Sequence, residues 1–258
     1  VIVTQTASGK TLSYNPAIFE YLLGNPQGHV LYIFPLNALM MDQLEKIGEL
    51  TQALEKLGVK TTAAHMVGGM NAGERDAAAR ACPNIVVTNP EMLNFLLDRA
   101  DGDWRAFFSD LKLIVVDEVH SYRGIFGVHM TGIVRRLLIT TRRLGSDPRF
   151  VISSATVNNP LDLASRLTAL PQSEFVLLSP DQDGSQQADK HWLVLNPDWG
   201  TRNGGRYNNY QDVAADVFVE MLLSRDTAGR ASPLNTILFC RSMREVRAIK
   251  NLVDQRLE

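Results

Sequence analysis

Hydrophobic residues fall along the chain in short continuous runs: VIVT (1–4), HVLYIF (29–34), NIVVT (84–88), KLIVVDE (112–118), RFVISSAT (149–156), EFVLLS (174–179), HWLVLN (191–196) and NTILFC (235–240). Runs without polar alternation suit strands buried on both faces of a parallel sheet. Between them the pattern changes to a helical period. In NALMMDQLEKIGELTQALEKLG, Met40, Leu44, Ile47, Leu54 and Leu57 form one apolar stripe, and Gly58 supplies a C-terminal cap. Similar periods run through 127–144, 161–170, 211–223 and 242–257, and LSYNPAIFEYLL (12–23) reads as a further helix. Strand–helix alternation of this kind predicts a doubly wound α/β fold with a parallel sheet.

The polar stretch SPDQDGSQQADK (179–190) has Pro, Gly and acidic residues but no period, and reads as a linker after a first domain spanning 1–178. Residues 191–258 then hold two strand candidates and two helices, too few for a complete α/β domain. The chain therefore reads as one nearly whole domain and the beginning of another, a piece of a longer protein. Its 45% hydrophobic and 21% charged residues are ordinary for a globular protein. No apolar run reaches membrane-spanning length, and no signal peptide precedes the first run. A net charge of -2 does not announce a nucleic-acid binder, yet a local basic groove can act within a neutral protein. Cys82 and Cys240 are far apart and lack CxxC partners, and read as buried thiols of a reducing cytoplasm.

Chemistry enters at TQTASGKT (4–11), which follows a strand and precedes a helix, as a phosphate-binding loop requires. Gly9 lets the backbone approach the phosphates, Lys10 neutralises their charge and Thr11 offers a hydroxyl to Mg²⁺. Thr4 stands where the usual GxxxxGK[ST] pattern has glycine. The run LIVVDEVH (113–120) ends in two carboxylates at the carboxyl edge of its strand, where ligands sit in open α/β folds. There Asp117 can hold Mg²⁺ through its water shell, and Glu118 can deprotonate an attacking water. A small kinase would want a lid of arginines, and a switch GTPase an NKxD-type guanine reader; the sequence has neither.

Three further stretches follow strands: FPLNALMMDQ (34–43), VVTNPEML (86–93) and SSAT (153–156). Helix N-termini and small amide or hydroxyl side chains grip phosphates without reading bases. In this order these five motifs, with a sixth beginning in TILFCRSMREV (236–246), resemble the superfamily 2 helicases of the DEAD/DEAH-box kind. The stretches DEVHSYRGIFGVHMTGIVRRL (117–137) and GSDPRFVISSATVNNP (145–160) are similar to the bacterial mitomycin-repair helicases with a DUF1998 C-terminal region and to their RecQ-four-like fungal relatives. That resemblance covers nearly the whole chain, up to a motif IV beginning in TILFCRSMREV.

The resemblance implies an ATP-dependent 3′→5′ DNA helicase or translocase built from two RecA-like domains, the second only begun here, in the cytoplasm and nucleoid of a bacterium and serving DNA repair. It implies that Thr6, Ala7, Ser8, Gly9, Lys10 and Thr11 bind ATP, that Thr11 and Asp117 hold Mg²⁺, and that Glu118 is the general base. His120, with Ser154, Ala155 and Thr156, would couple hydrolysis to domain movement. Pro35, Asn37, Thr88, Asn89 and Pro90 would touch the backbone of single-stranded DNA or a duplex junction, with Tyr122 and Arg123 as coupling or strand contacts. An adenine-reading segment, motifs V and VI with their arginine fingers, and a cysteine-rich region belong to the family and lie outside this sequence, so these 258 residues alone should turn over ATP slowly. Two alternatives stay open from the residues: an RNA helicase, and a nucleotide-gated scaffold that recruits repair or defence partners.

Lesser features read as structural. His29, His65, His129 and His191 are scattered. Arg135, Arg136, Arg142 and Arg143 suit a solvated helix face, or else a basic rim for phosphates. Tyr207 and Tyr210 lie in a loop-like GTRNGGRYNNY, with base stacking the other option.

Overall fold

The computed structural model describes residues 1–4, 10–182, 184, 210–225 and 229–257, with the backbone alone at Lys10, Leu12, Ala38 and Pro180. The run at 191–196, the stretch at 200–209 and Thr6, Ala7, Ser8 and Gly9 lie outside the described residues. The chain divides into two compact units, Val1–Ala188 and Asp189–Glu258.

In the first unit the elements follow one another as β1 (Ile2–Val3), α1 (Lys10–Gly24), β2 (His29–Ile33), α2 (Asn37–Lys56), β3 (Ala63–Met66), α3 (Ala72–Ala81), β4 (Ile85–Thr88), α4 (Pro90–Asp98), α5 (Arg105–Ser109), β5 (Leu111–Val116), α6 (Gly124–Arg143), β6 (Arg149–Ser154) and α7 (Pro160–Thr168). The six strands form one sheet in the order β1-β6-β5-β2-β4-β3, with every pairing parallel. This is the α/β fold of a RecA-like domain.

Strand alternation explains why the runs are apolar throughout. Val30, Tyr32 and Phe34 face the layer of α1 and α2, where they pack with Ile18, Leu22, Met40 and Ile47. Leu31 and Ile33 face the opposite layer with Met92, Leu96, Phe108 and Val134. On β5, Val115 goes to the first cluster and Ile114 and Val116 to the second. The buried apolar residues of these central strands thus alternate between two cores, and a polar residue in their place would be buried. At the end of α2, Gly58 adopts φ +82°, the left-handed turn that its cap reading requires.

Several elements depart from the predicted pattern. β3 and α3 had no apolar run or stripe to announce them. The helix α3 is instead set by a capping box, in which Asn71 and Glu74 bond each other's backbone N–H groups. The strand predicted at 174–179 is reduced to one bridge, Ile2 with Leu178, supported by Val3 N–H to Leu178 O at 2.9 Å and Leu178 N–H to Val1 O at 2.8 Å. Its partner β1 is only two residues long and cannot template a longer ladder. The strand predicted at 235–240 is irregular, with Ile237 79% and Phe239 90% exposed. A strand needs a lateral partner, and no strand among the described residues pairs with it.

In the second unit α8 (Tyr210–Leu222) and α9 (Met243–Leu257) bury Ala215, Val219, Ile249 and Val253 between them. Arg256 fastens the pair by binding Asp212 at 3.2 Å and Asp216. Cys82 and Cys240 are free and half-buried. Among the described residues, no helix is long and apolar enough to cross a membrane.

Candidate active site

Parallel strands bring their carboxyl ends to one edge, and the register there decides which loops meet. Val116 pairs with Ile33 on one side and with Ile152 on the other. The next residues of β5 and β6, Asp117 and Ser153, therefore lie side by side. Asp117 is 7% exposed and has its carboxylate held from three directions. Oδ1 accepts the Glu118 N–H at 2.9 Å and the Ser153 hydroxyl, and Oδ2 lies 3.3 Å from the Tyr14 hydroxyl. The Asp117 N–H donates to Ile33 O at 3.0 Å, which ties the loop to β2.

From the other side of this carboxylate comes α1. Lys10 opens the helix, so its first turn stands at the same edge of the sheet. Thr11 Oγ1 lies 3.5 Å from the Tyr14 hydroxyl, and its own proton goes to Gln43 Oε1 at 3.1 Å. One phenol thus touches both Thr11 and Asp117. Burial first, and the neighbouring Asp117 charge second, push the Tyr14 ionisation well above the ordinary tyrosine range, so the group remains a donor. Tyr122 is also buried and its ionisation raised for the same two reasons; its hydroxyl has no hydrogen-bond partner among the described residues.

Glu118 sits at φ 50°, ψ 44°, a left-handed conformation that costs a non-glycine residue about 1–3 kcal/mol. Its N–H bonds the Asp117 carboxylate and its C=O accepts the Ser121 N–H at 2.8 Å, so the surroundings over-determine the strained turn. The turn aims Glu118 Oε2 at His120 Nδ1, 3.1 Å away. The same nitrogen lies 3.3 Å from the Ala155 N–H. Accepting from Ala155 needs a lone pair on Nδ1 and donating to Glu118 needs a proton there, so the two bonds are alternatives set by the tautomer. Beyond this turn Gly127 closes the loop: a Cβ there would stand 2.5 Å from the Tyr122 carbonyl oxygen.

The predicted coupling residues divide by role. Ala155 meets His120 through its backbone. Ser154 is buried, with a hydroxyl that has no partner among the described residues, and Thr156 is exposed. The hydroxyl that reaches Asp117 belongs to Ser153, outside the predicted set.

Two strands over, β2 and β4 pair Ile33 with Thr88 and bring the following loops together. Asn89 Nδ2 donates to Asn37 Oδ1 at 3.0 Å on the exposed surface. The Asn89 oxygen accepts the Met92 N–H at 2.8 Å and so caps α4, whereas α2 begins after Leu36 with no side-chain cap. Pro35 and Pro90 are buried beneath this pair, with Pro90 in the first turn of α4. Thr88 is fully buried and its hydroxyl donates to Met66 O at 3.0 Å, so it offers no oxygen to a ligand. Arg123 is exposed at the start of α6, beside a cleft of about 430 Å³ that includes His120, Asn158 and Arg166.

The arginines of α6 do not form a free basic rim. Arg136 reaches Asn94 at 2.7 Å and Asp98, Arg142 reaches Asp147 at 2.9 Å and Arg143 reaches Asp101 at 2.7 Å; Arg135 is exposed. Asp98 and Asp101 come from a distant part of the chain, where local sequence offered no sign of them, whereas Asp147 follows Arg142 by five residues. Tyr14 did leave a signal, being three residues from Thr11 on one helix face, whereas Ser153 is set beside Asp117 by the β5–β6 register. Gln43 left none, because it comes to Thr11 only by helix packing.

The model of the DEAD/DEAH box helicase family matches residues 1–163. The uncharacterized ATP-dependent helicase YprA of Bacillus subtilis is 36% identical over 76% of this chain and 25% of its own. The ATP-dependent helicase HRQ1 of Saccharomyces cerevisiae is 31% identical over 93% of this chain and 21% of its own. Among solved structures, the DUF1998 helicase MrfA bound to DNA and AMPPNP superposes with a TM-score of 0.79 at 31% identity, over 99% of this chain and 34% of that one. The chain thus spans about a fifth to a third of these relatives' lengths.

Proposed function

Because the chain belongs to the DEAD/DEAH box helicase family, we propose that it forms the nucleotide-hydrolysing part of a motor that moves 3′→5′ along single-stranded DNA and separates duplexes in DNA repair. The observation that carries this reading is the meeting of Thr11, Asp117, Glu118 and His120 at one sheet edge that also bears the Asn37–Asn89 pair. MrfA, which was solved with DNA and AMPPNP, supports the choice of both ligands.

In this reading the Thr11 hydroxyl and, through the ion's water shell, the Asp117 carboxylate would hold Mg²⁺, for which such hard oxygen donors are suited. The Mg–ATP complex supplies an electrophilic phosphorus and a neutralised leaving group. Lys10 neutralises triphosphate charge, and Thr6, Ala7, Ser8 and Gly9 are proposed to bind the same triphosphate. Glu118 takes the proton of the attacking water. His120, placed between Glu118 and Ala155, passes the state of that carboxylate to the end of β6, where the buried Ser154 and the exposed Thr156 flank Ala155. Asn37 and Asn89 hold backbone phosphates at the start of α2, with Pro35 and Pro90 shaping the surface and Arg123 adding charge. Thr88 has a structural part, since its hydroxyl is bonded to Met66 O.

The test is ATP turnover by the full-length protein with single-stranded DNA, with single-stranded RNA and with neither. Turnover stimulated by DNA is expected, and Glu118→Gln should keep nucleotide and DNA binding while losing about 100-fold or more in rate, the usual worth of a positioned base. Stimulation by RNA alone would replace the DNA assignment, and a wild-type rate in Glu118→Gln would remove that residue from the base role.

A further inference from the structure

Thr11 is held by a chain of side chains reaching from α2. A hydroxyl has a single proton, so a Thr11 lone pair can face a cation only when an acceptor draws that proton elsewhere. Gln43 Oε1 is that acceptor, at 3.1 Å. A glutamine amide can present either its oxygen or its NH₂ group, and the NH₂ would instead occupy the Thr11 lone pair. Asp42 removes the choice. Gln43 Nε2 donates to Asp42 Oδ2 at 3.0 Å, and Lys46 Nζ binds the same carboxylate oxygen at 2.9 Å. The amide oxygen is thereby kept toward Thr11. On the far side, the Tyr14 proton has a carboxylate available in Asp117 Oδ2 at 3.3 Å, a stronger acceptor than the Thr11 hydroxyl at 3.5 Å. Both neighbours thus leave the outward side of the Thr11 oxygen for a ligand.

We propose that Gln43 is a positioning residue for the magnesium–nucleotide site, turning the Thr11 oxygen toward the metal with its own amide oriented by Asp42. The proposal rests on the reading of Thr11 and Asp117 as the residues that hold Mg²⁺. It also gives α2 two roles in one rigid element, since the helix begins at Asn37, beside Asn89, and carries Gln43 fewer than two turns later.

The experiment measures binding of a fluorescent ADP to the full-length protein, in Mg²⁺ and in EDTA, for wild type, Gln43→Leu and Gln43→Glu. Gln43→Leu should bind about 10-fold or more weakly in Mg²⁺, the usual effect of losing a partner of a metal ligand, and like wild type in EDTA. Gln43→Glu keeps an acceptor oxygen and should recover most of the loss. Equal weakening of Gln43→Leu with and without Mg²⁺ would mark a merely structural role and overturn the proposal. Full Mg²⁺-dependent affinity in Gln43→Leu, or no recovery in Gln43→Glu, would overturn it as well. A wild-type protein that gains no affinity from Mg²⁺ would overturn the metal reading itself, and this proposal with it.

Discussion

His29 shows how much a single residue's surroundings decide. Read from sequence it is one of several scattered histidines. In the fold it is 7% exposed, its Nδ1 donates to Pro83 O at 2.9 Å and its ring lies 5.0 Å from that of Phe107. Burial is the largest influence and lowers its pKa, with the Pro83 bond and the Asp110 charge opposing it more weakly. The unfolded chain therefore binds the proton more readily than the folded one. Folding stability should be unaffected by this group well above pH ~6.5, the unperturbed histidine value, and should fall as pH drops below it. Melting temperatures between pH 8 and pH 5 would check this, with His29→Gln expected to flatten the acid limb. The site residues tell the same story in a different chemistry. Asp117 and Glu118 were legible as an acid pair after an apolar run. That Glu118 would stand in a left-handed turn, and that Ser153 rather than Ser154 would reach Asp117, depended on the register of β5 and β6.

At the scale of elements, the central strands and the long helices were legible because each carries a pattern of its own. β2, β4, β5 and β6 carry apolar residues at successive positions through their buried middles because both faces are covered there, and α2 keeps one stripe up to the Gly58 cap. Leu31, fully buried on the α4–α6 side of β2, tests that account. Leu31→Ala should cost about 2–5 kcal/mol, read from the denaturant midpoint, since the surrounding layers can collapse only partly on the cavity. A loss below ~1 kcal/mol would mean that this face is less tightly covered than the packing indicates. β3 and α3, which carry no such pattern, lie at the far edge of the sheet, where burial is partial. The Asn71…Glu74 capping box was the one available sign of α3. The runs at 174–179 and 235–240 had the composition of strands but not the partners, and composition alone cannot supply a ladder.

For the whole molecule, the functional claim concerns a nearly neutral chain that is proposed to hold a polyanion. The Asn37–Asn89 pair would grip phosphates through neutral hydrogen bonds, which release no counterions. Asn89→Ala should therefore weaken binding to single-stranded DNA by a similar factor for every base sequence, while leaving the slope of log affinity against log salt unchanged. Titrations at several salt concentrations would check this, and a shallower slope in the variant would show that charge had been removed. The same substitution deletes the cap of α4, at a cost of about 1 kcal/mol, so DNA affinity should be compared well below the melting temperature.

What the sequence by itself determined is what covalent order and local periodicity can encode: a parallel α/β sheet, a phosphate-loop pattern before a helix, an acid pair closing a strand, and a motif order shared with a helicase family. What only the tertiary structure decided is which of those groups touch. Strand order placed Asp117 between β2 and β6, register chose Ser153, and the packing of α2 on α1 brought Gln43 to Thr11. It also turned Thr88 inward to Met66 and gave three arginines of α6 their acids. The physical reason is range: side-chain patterns repeat over a few residues, whereas a hydrogen bond is set by atoms within about 3 Å whose positions depend on every layer packed between them.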